Sequence, residues 1–144
     1  MQMKGVLLVN LGSPDSTNTN DVRNYLEEFL MDERVIDLPK WFRSFLVKGI
    51  ILKTRPKKSA KAYKKIWWDE GSPLIVLSER LQKKVQKKVS IPVVLAMRYG
   101  NPSIKDGIEL LHKKGVKEVL IIPLYPQERI KPIFSKSNNS FEIR

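Results

Sequence analysis

The sequence predicts an α/β protein in which helices flank a parallel sheet of three to four strands. Short apolar runs bounded by turn residues recur along the chain, and segments with helical periodicity separate each run from the next. Strands that alternate with helices are joined by right-handed crossovers, which make them parallel in one doubly wound sheet. The length of 144 residues is sufficient for one such domain.

Three apolar runs are the predicted strands: 5–10, 92–97 and 116–123. Their almost continuous apolar character is typical of strands that are buried on both faces of a parallel sheet. Three polar loops that contain glycine and proline, 10–14, 71–74 and 97–102, lie at or just beyond the end of an apolar run or an amphipathic helix. Because ligands bind outside the carboxyl ends of strands in open α/β sheets, these loops predict the position of a binding site.

Five helices are predicted around these strands. The first begins among the capping residues 17–21 and runs to Met31. Pro39 begins the second helix, and we expect Pro56 to end it, because proline in a helix interior removes a hydrogen bond. The remaining three cover 59–67, 74–89 and 103–114.

The chain is strongly basic, with a formal net charge of +12. Ten basic residues and no acidic residue lie between Leu38 and Trp68. Such a stretch attracts nucleic acid, anionic lipid or a carboxylated ligand, although a solvated lysine-rich surface is an equally good interpretation. The chain has no cysteine, which excludes disulfides and a cysteine-ligated iron–sulfur cluster.

The sequence shows no set of side chains suited to covalent or metal-assisted catalysis. His112 is the only histidine and lies near the end of a predicted helix beside two lysines, which favours a surface position over metal ligation. The turn at 10–16 leads towards a helix N-terminus and suits an anion, but it lacks the glycine motifs of nucleotide sites. Residue chemistry alone therefore indicates anion binding rather than catalysis.

Seven short motifs, in this order along the chain, resemble the ferrochelatase family, whose members insert ferrous iron into protoporphyrin. They are LVNLGSP at 8–14, FLMDERV at 29–35, RP at 55–56, YKKI at 63–66, GSPL at 71–74, MRYG at 97–100 and PLYPQ at 123–127. Each motif is weak alone, but the ordered set is specific. The resemblance implies a Rossmann-like, chelatase-like domain over residues 1–127, one half of a two-domain enzyme, and a divergent, disordered tail over 128–144.

The resemblance implies insertion of Fe²⁺ into protoporphyrin IX in haem biosynthesis, with this chain supplying only the porphyrin-binding half. Both compounds are substrates, and no permanently bound cofactor or iron–sulfur cluster is expected. The family's main catalytic residues lie in its second half, so neither a catalytic nor a metal-binding residue is expected in this chain. Because the resemblance ends abruptly after Gln127, we expect a truncated chain that is inactive alone.

By their positions in or beside these motifs, six residues are expected to contact porphyrin: Leu11, Arg55, Tyr63, Ser72, Arg98 and Tyr99. Arginine makes paired hydrogen bonds to carboxylates, and tyrosine presents an aromatic face with a polar tip. A flat, apolar tetrapyrrole with two propionates needs that combination. Local packing at the strand end is the alternative for Arg98 and Tyr99, and core packing is the alternative for Tyr63.

The partners implied are protoporphyrin IX, a membrane surface and a second copy of the chain. Residues 41–51 are expected to form a hydrophobic lip that contacts the membrane, and the exposed half-cleft is expected to self-associate. We expect a cytoplasmic protein, peripheral to the inner membrane face, that binds no nucleic acid. Two alternatives stay open: a non-catalytic basic module that binds anionic membrane or nucleic acid through the Leu38–Trp68 stretch, and a nonfunctional remnant.

Overall fold

A computed structural model of the chain describes residues 3–126 and two further strands, and its main feature is a parallel sheet of three strands. The strands are β1 (Lys4–Gly12), β2 (Val93–Tyr99) and β3 (Glu118–Pro123). Their order in the sheet is β2-β1-β3, so the first strand is central. The register runs from Val6↔Val93 to Gly12↔Tyr99 on one side of β1 and from Lys4↔Glu118 on the other.

Helices cover both faces of the sheet, which confirms the predicted α/β class. Four lie between β1 and β2: α1 (Thr19–Met31), α2 (Lys40–Leu46), α3 (Leu52–Ile66) and α4 (Pro73–Gln86). The helix α5 (Ile104–Lys113) lies between β2 and β3. A short π-helical segment, Val47–Ile51, joins α2 to α3.

Alternation along β1 divides the core between the two faces of the sheet. Leu7 and Val9 pack with Leu111 of α5, whereas Val6 and Leu8 pack with Val85 of α4. Successive side chains of a strand point to opposite faces, so a continuous apolar run serves both helical layers. The uninterrupted apolar character of this segment is therefore the consequence of its central position.

A third cluster lies outside the sheet and holds the basic helix α3 against α1. Its buried members are Val22, Leu26, Leu30, Val47, Leu52 and Ala60. These residues give each helix one apolar stripe. The lysines of α3 are all exposed.

The prediction that Pro56 ends a helix is wrong, because Pro56 lies inside α3. Proline lacks the N–H that would donate to the carbonyl of Leu52, four residues earlier. Arg23 of α1 donates from Nη1 to that carbonyl oxygen at 3.3 Å. A partner from another helix therefore replaces the hydrogen bond that the proline removes, and the helix continues to Ile66.

Replacing Arg23 by methionine is expected to destabilise the chain by about 1–2 kcal/mol, because a backbone carbonyl loses its partner. Arg34→Met is the control, since only the backbone of this exposed arginine forms a hydrogen bond. Chemical denaturation measures both. In a Pro56→Ala background the restored N–H should reduce the cost of Arg23→Met, and equal costs in the two backgrounds would contradict the account.

Part of the range expected to be a disordered tail contains two short antiparallel strands. They are β4 (Phe134–Ser137) and β5 (Ser140–Ile143). The other residues of 128–144 lie outside the described residues. The predicted domain boundary at residue 127 stays a prediction.

Candidate functional site

The carboxyl end of β2 carries two of the predicted site residues, and their polar atoms meet on one carboxylate. The Tyr99 hydroxyl donates to Asp32 Oδ2 at 2.8 Å, and Arg98 Nη2 donates to the same oxygen at 3.2 Å. Arg98 Nε donates to the Tyr99 hydroxyl at 3.1 Å, which closes a triangle. The side chains of Arg98 and Asp32 are only 18% and 19% exposed, so solvent screens this ion pair weakly.

At both ends of this ion pair, the other interactions of the group affect its pKa more than burial does. Burial disfavours the charged carboxylate of Asp32, but hydrogen bonds from the Arg34 backbone, Tyr99 and Arg98 lower its pKa overall. Burial also opposes the charge on Arg98, but hydrogen bonds with Tyr99 and Asp32 contribute to raising its pKa. Both groups are therefore ionised at neutral pH, and together they carry no net charge.

A row of aromatic side chains connects this triangle to α1 and α3. The rings of Phe29 and Tyr99 meet edge to face, with centroids 5.1 Å apart, and Phe29 stacks with Tyr25 at 6.3 Å. The Tyr25 hydroxyl donates to the Gly12 carbonyl at 3.2 Å. Burial, and then the nearby Tyr63 and Tyr99, raise the pKa of Tyr25, which places all three tyrosines in one neighbourhood.

The end of β1 approaches β2 unusually closely at Gly12. Its φ is +117°, and a Cβ built there would lie 1.8 Å from the Tyr99 carbonyl oxygen. Only glycine fits both requirements. Leu11 precedes this point and is half-buried, and Ser13 follows it with a buried hydroxyl that has no hydrogen-bond partner.

The helix α4 is fixed to the end of β1 by a side-chain hydrogen bond. Asn10 Nδ2 donates to Ser78 Oγ at 2.9 Å. Ser72 occupies the N-cap position, followed by Pro73, and its side chain is buried without making the usual capping bond. The predicted site residue Ser72 therefore lies at the start of the helix that contacts β1.

The cationic part of the predicted site is a groove along α3. An open groove of about 500 Å³ is lined by Thr54, Arg55, Lys58, Ser59 and Ala62. Residues three or four apart share one face of a helix, which places Arg55 and Lys58 side by side. Within the described residues, Arg55 forms neither a hydrogen bond nor an ion pair. Two exposed cations in a groove are suited to binding carboxylates.

The structure brings some of the six predicted residues together and leaves others apart. Arg98 and Tyr99 touch each other, and Tyr63 shares the neighbourhood of Tyr25 with Tyr99. In the described part of the chain, no hydrogen bond joins Arg55 or Ser72 to this group. Whether the six residues contact porphyrin stays a prediction.

Sequence reasoning missed three residues of this region: Asp32, Tyr25 and Lys58. Asp32 belongs to a recognised motif, but nothing local marks it as the partner of residues 66 and 67 positions later. The spacing of Lys58 from Arg55 is a helical signal, which the expected break at Pro56 concealed. No sequence signal distinguishes Tyr25 from an ordinary core residue of α1.

The residues expected to contact a membrane form an exposed apolar surface. Trp41 is 74% exposed, and Phe45 and Ile50 are also exposed. Arg43, between them, is buried, and its Nη1 donates to the carbonyls of Ile36 and Leu38. Over residues 3–126 and the two tail strands, no helix is long and apolar enough to cross a membrane.

The side chains that most often ligate metals are dispersed. His112 is exposed near the end of α5. Among the residues that the structure describes, no group of three or more His, Cys, Asp and Glu side chains is arranged to hold a metal ion.

An open parallel sheet of three strands with helices on both faces defines an α/β domain. Comparison with known proteins identifies the family within this class. The ferrochelatase family model matches residues 3–131, so the chain belongs to the ferrochelatase family. The resemblance found in the motifs is confirmed.

Individual ferrochelatases show the same relationship. The chain is 52% identical over 124 residues to the ferrochelatase of Vibrio atlanticus strain LGP32, covering 86% of this chain and 39% of that protein. It is 58% identical over 123 residues to that of Pseudomonas savastanoi pv. phaseolicola, covering 85% and 36%. For the ferrochelatase of a Marinomonas species the identity is 50% over 129 residues, covering 85% and 39%. The chain thus spans less than two fifths of the length of these relatives.

Proposed function

We propose that these residues form one wall of the porphyrin-binding cleft of a protein that inserts Fe²⁺ into protoporphyrin IX. The observation that carries the proposal is the surface of α3, where the cationic groove of Arg55 and Lys58 lies on the same helix as Tyr63. Arg55 and Tyr63 are eight residues apart, which corresponds to about 12 Å along a helix. A flat apolar ligand with acidic substituents requires these two kinds of surface near each other.

In this proposal the residues bind and orient porphyrin. Arg55 and Lys58 take the propionates, because both cations are exposed and a guanidinium pairs two hydrogen bonds with one carboxylate. Tyr63 and Leu11, which are half-buried, provide apolar and aromatic contact with the macrocycle, whereas Tyr99 is only 5% exposed and packs within the wall. Fe²⁺ is a substrate, and its insertion belongs to the whole protein rather than to this segment.

The exposed surface around Trp41 is proposed to contact a membrane. Trp41, Phe45 and Ile50 are exposed beside Lys40 and Lys48. Aromatic and aliphatic side chains with flanking lysines are typical of segments that lie in the interface of an anionic bilayer. An apolar porphyrin that partitions into the membrane would then enter the cleft over this surface.

Titration of protoporphyrin IX into the purified chain, followed by Soret absorbance and tryptophan quenching, tests the porphyrin site. The double variant Arg55→Ala/Lys58→Ala is expected to bind at least about tenfold more weakly, because two charged partners of the propionates are lost. Tyr63→Ala should also weaken binding. Lys64→Ala/Lys65→Ala removes the same charge from the same helix outside the groove, and it should leave the affinity unchanged.

The dependence on salt separates this proposal from the alternative of a basic module for nucleic acid or anionic membrane. Polyanion binding weakens steeply as salt rises because counterions are released, about 10³-fold or more between 50 and 200 mM for six to ten contacts. Porphyrin binding driven by apolar contact should be far less sensitive. An Arg55→Ala/Tyr63→Ala double variant that is folded and binds with unchanged affinity would refute the site.

A further inference from the structure

The two cationic side chains of the predicted site have opposite surroundings. Arg55 is exposed in the groove of α3 without a partner among the described residues. Arg98 is enclosed, and its Nε and Nη2 donate to Tyr99 and Asp32. These two nitrogens form one of the guanidinium edges that can bind a carboxylate with two parallel hydrogen bonds. Tyr99 and Asp32 already occupy this edge.

We propose that Asp32 is a specificity-determining residue: it neutralises Arg98 and accepts from its Nη2, so that this end of the sheet presents no net positive charge to the ligand. Substrate carboxylates are then directed to Arg55 and Lys58 on α3. The inference rests on the proposed porphyrin site. It predicts selection against porphyrins that carry carboxylates on all four pyrrole rings, since Arg98 is not available to the additional carboxylates.

Among the described residues around Arg98, Asp32 is the group that neutralises its charge. The other side chain that hydrogen-bonds to the guanidinium in the described residues is Tyr99, whose hydroxyl is uncharged. Glu28 is exposed, and its Oε2 accepts a hydrogen bond from the Gly100 backbone N–H instead. An Arg98 without the Asp32 charge would be a poorly solvated cation that gains from binding an external carboxylate.

The first test compares Asp32→Asn with the parent chain in titrations of protoporphyrin IX and of coproporphyrin III, which has four carboxylates. Asparagine retains an acceptor for the Tyr99 hydroxyl but removes the charge. We expect the affinity for coproporphyrin III to rise at least about fivefold, and that for protoporphyrin IX to stay within about twofold. Asp37→Asn removes the charge of an exposed neighbour and should change neither.

A third variant tests whether the gain in affinity for coproporphyrin III depends on the Arg98 guanidinium. Asp32→Asn/Arg98→Met should lose the added affinity for coproporphyrin III, because the released cation is gone. If Asp32→Asn lowers the affinity for both porphyrins in parallel, or leaves the preference unchanged, Asp32 has a purely structural role and the inference is overturned.

A second measurement judges the inference without porphyrin. Phenylglyoxal labels accessible arginines, and mass spectrometry gives the rate at each one. In the parent chain Arg55 should react fast, and Arg98 and the buried Arg43 slowly. In Asp32→Asn only Arg98 should accelerate, by about fivefold or more, because its bidentate edge is released. Unchanged slow labelling of Arg43 shows that the variant remains folded.

The two measurements distinguish failure of the inference from failure of the proposed function. If the parent chain and all variants bind neither porphyrin, the proposed function fails and the labelling alone decides whether Asp32 shields Arg98. A rate at Arg98 in Asp32→Asn within about twofold of the parent overturns the inference, whatever the porphyrins do.

Discussion

Gly12→Ala is expected to destabilise the chain by at least about 3 kcal/mol, a large share of the total for a domain of this size. A φ of +117° costs a non-glycine residue about 1–3 kcal/mol. The new Cβ would also lie 1.8 Å from the Tyr99 carbonyl oxygen. That oxygen belongs to the backbone of β2, so it moves away only if the strand pairing at Gly12↔Tyr99 opens.

Gly71→Ala separates these two costs. Its φ is +124°, close to that of Gly12, but nothing lies within 4 Å of a Cβ built there. We expect Gly71→Ala to lose only the stability that corresponds to the conformational cost. Chemical denaturation measures the loss in both variants, and the difference between them is the cost of the clash at Gly12. Equal losses would show that β1 and β2 are not held as close at this point as the structure indicates.

The second large effect is expected for Leu7→Ala, at about 3–4 kcal/mol. Leu7 has no exposed surface and lies in the central strand, packed in the cluster that includes Leu111. Leu120→Ala on β3 is the matched control, because Leu120 is 61% exposed and should cost well under 1 kcal/mol. Thermal and urea unfolding measure both.

A compensating substitution makes this prediction more specific. A Cβ at Gly107 would lie 2.7 Å from Leu7 Cδ1, so Gly107→Ala alone should destabilise the chain. After Leu7→Ala that methyl is gone, and the added Cβ would partly fill the cavity. We therefore expect Gly107→Ala to be less harmful, or favourable, in the Leu7→Ala background. Strict additivity would argue against close packing of α5 on β1 at this position.

Much of the fold was predictable because its signals are local. The apolar run at 5–10 indicated a buried strand, and β1 confirms this interpretation. The expected break at Pro56 failed for a reason that is not local. The group that replaces its hydrogen bond comes from Arg23, on another helix.

The site was less predictable than the fold. Motifs identified Arg98 and Tyr99 as notable, but their shared partner Asp32 is distant in sequence and is defined only by tertiary packing. The sequence therefore could not show whether a ligand or another residue of the protein neutralises the charge of Arg98. Arg55 belongs to a motif and lines the groove of α3, whereas its neighbour Lys58 could be placed beside it only with a continuous helix through Pro56.

The hydrogen bond from Arg23 to the Leu52 carbonyl also constrains how this segment can evolve. Proline at position 56 is less costly while position 23 supplies a long donor, although the two sites are far apart in sequence. In an alignment of ferrochelatases the two columns should covary, with arginine, lysine or glutamine at position 23 accompanying proline at 56. Sequences without that proline should accept almost any residue at position 23.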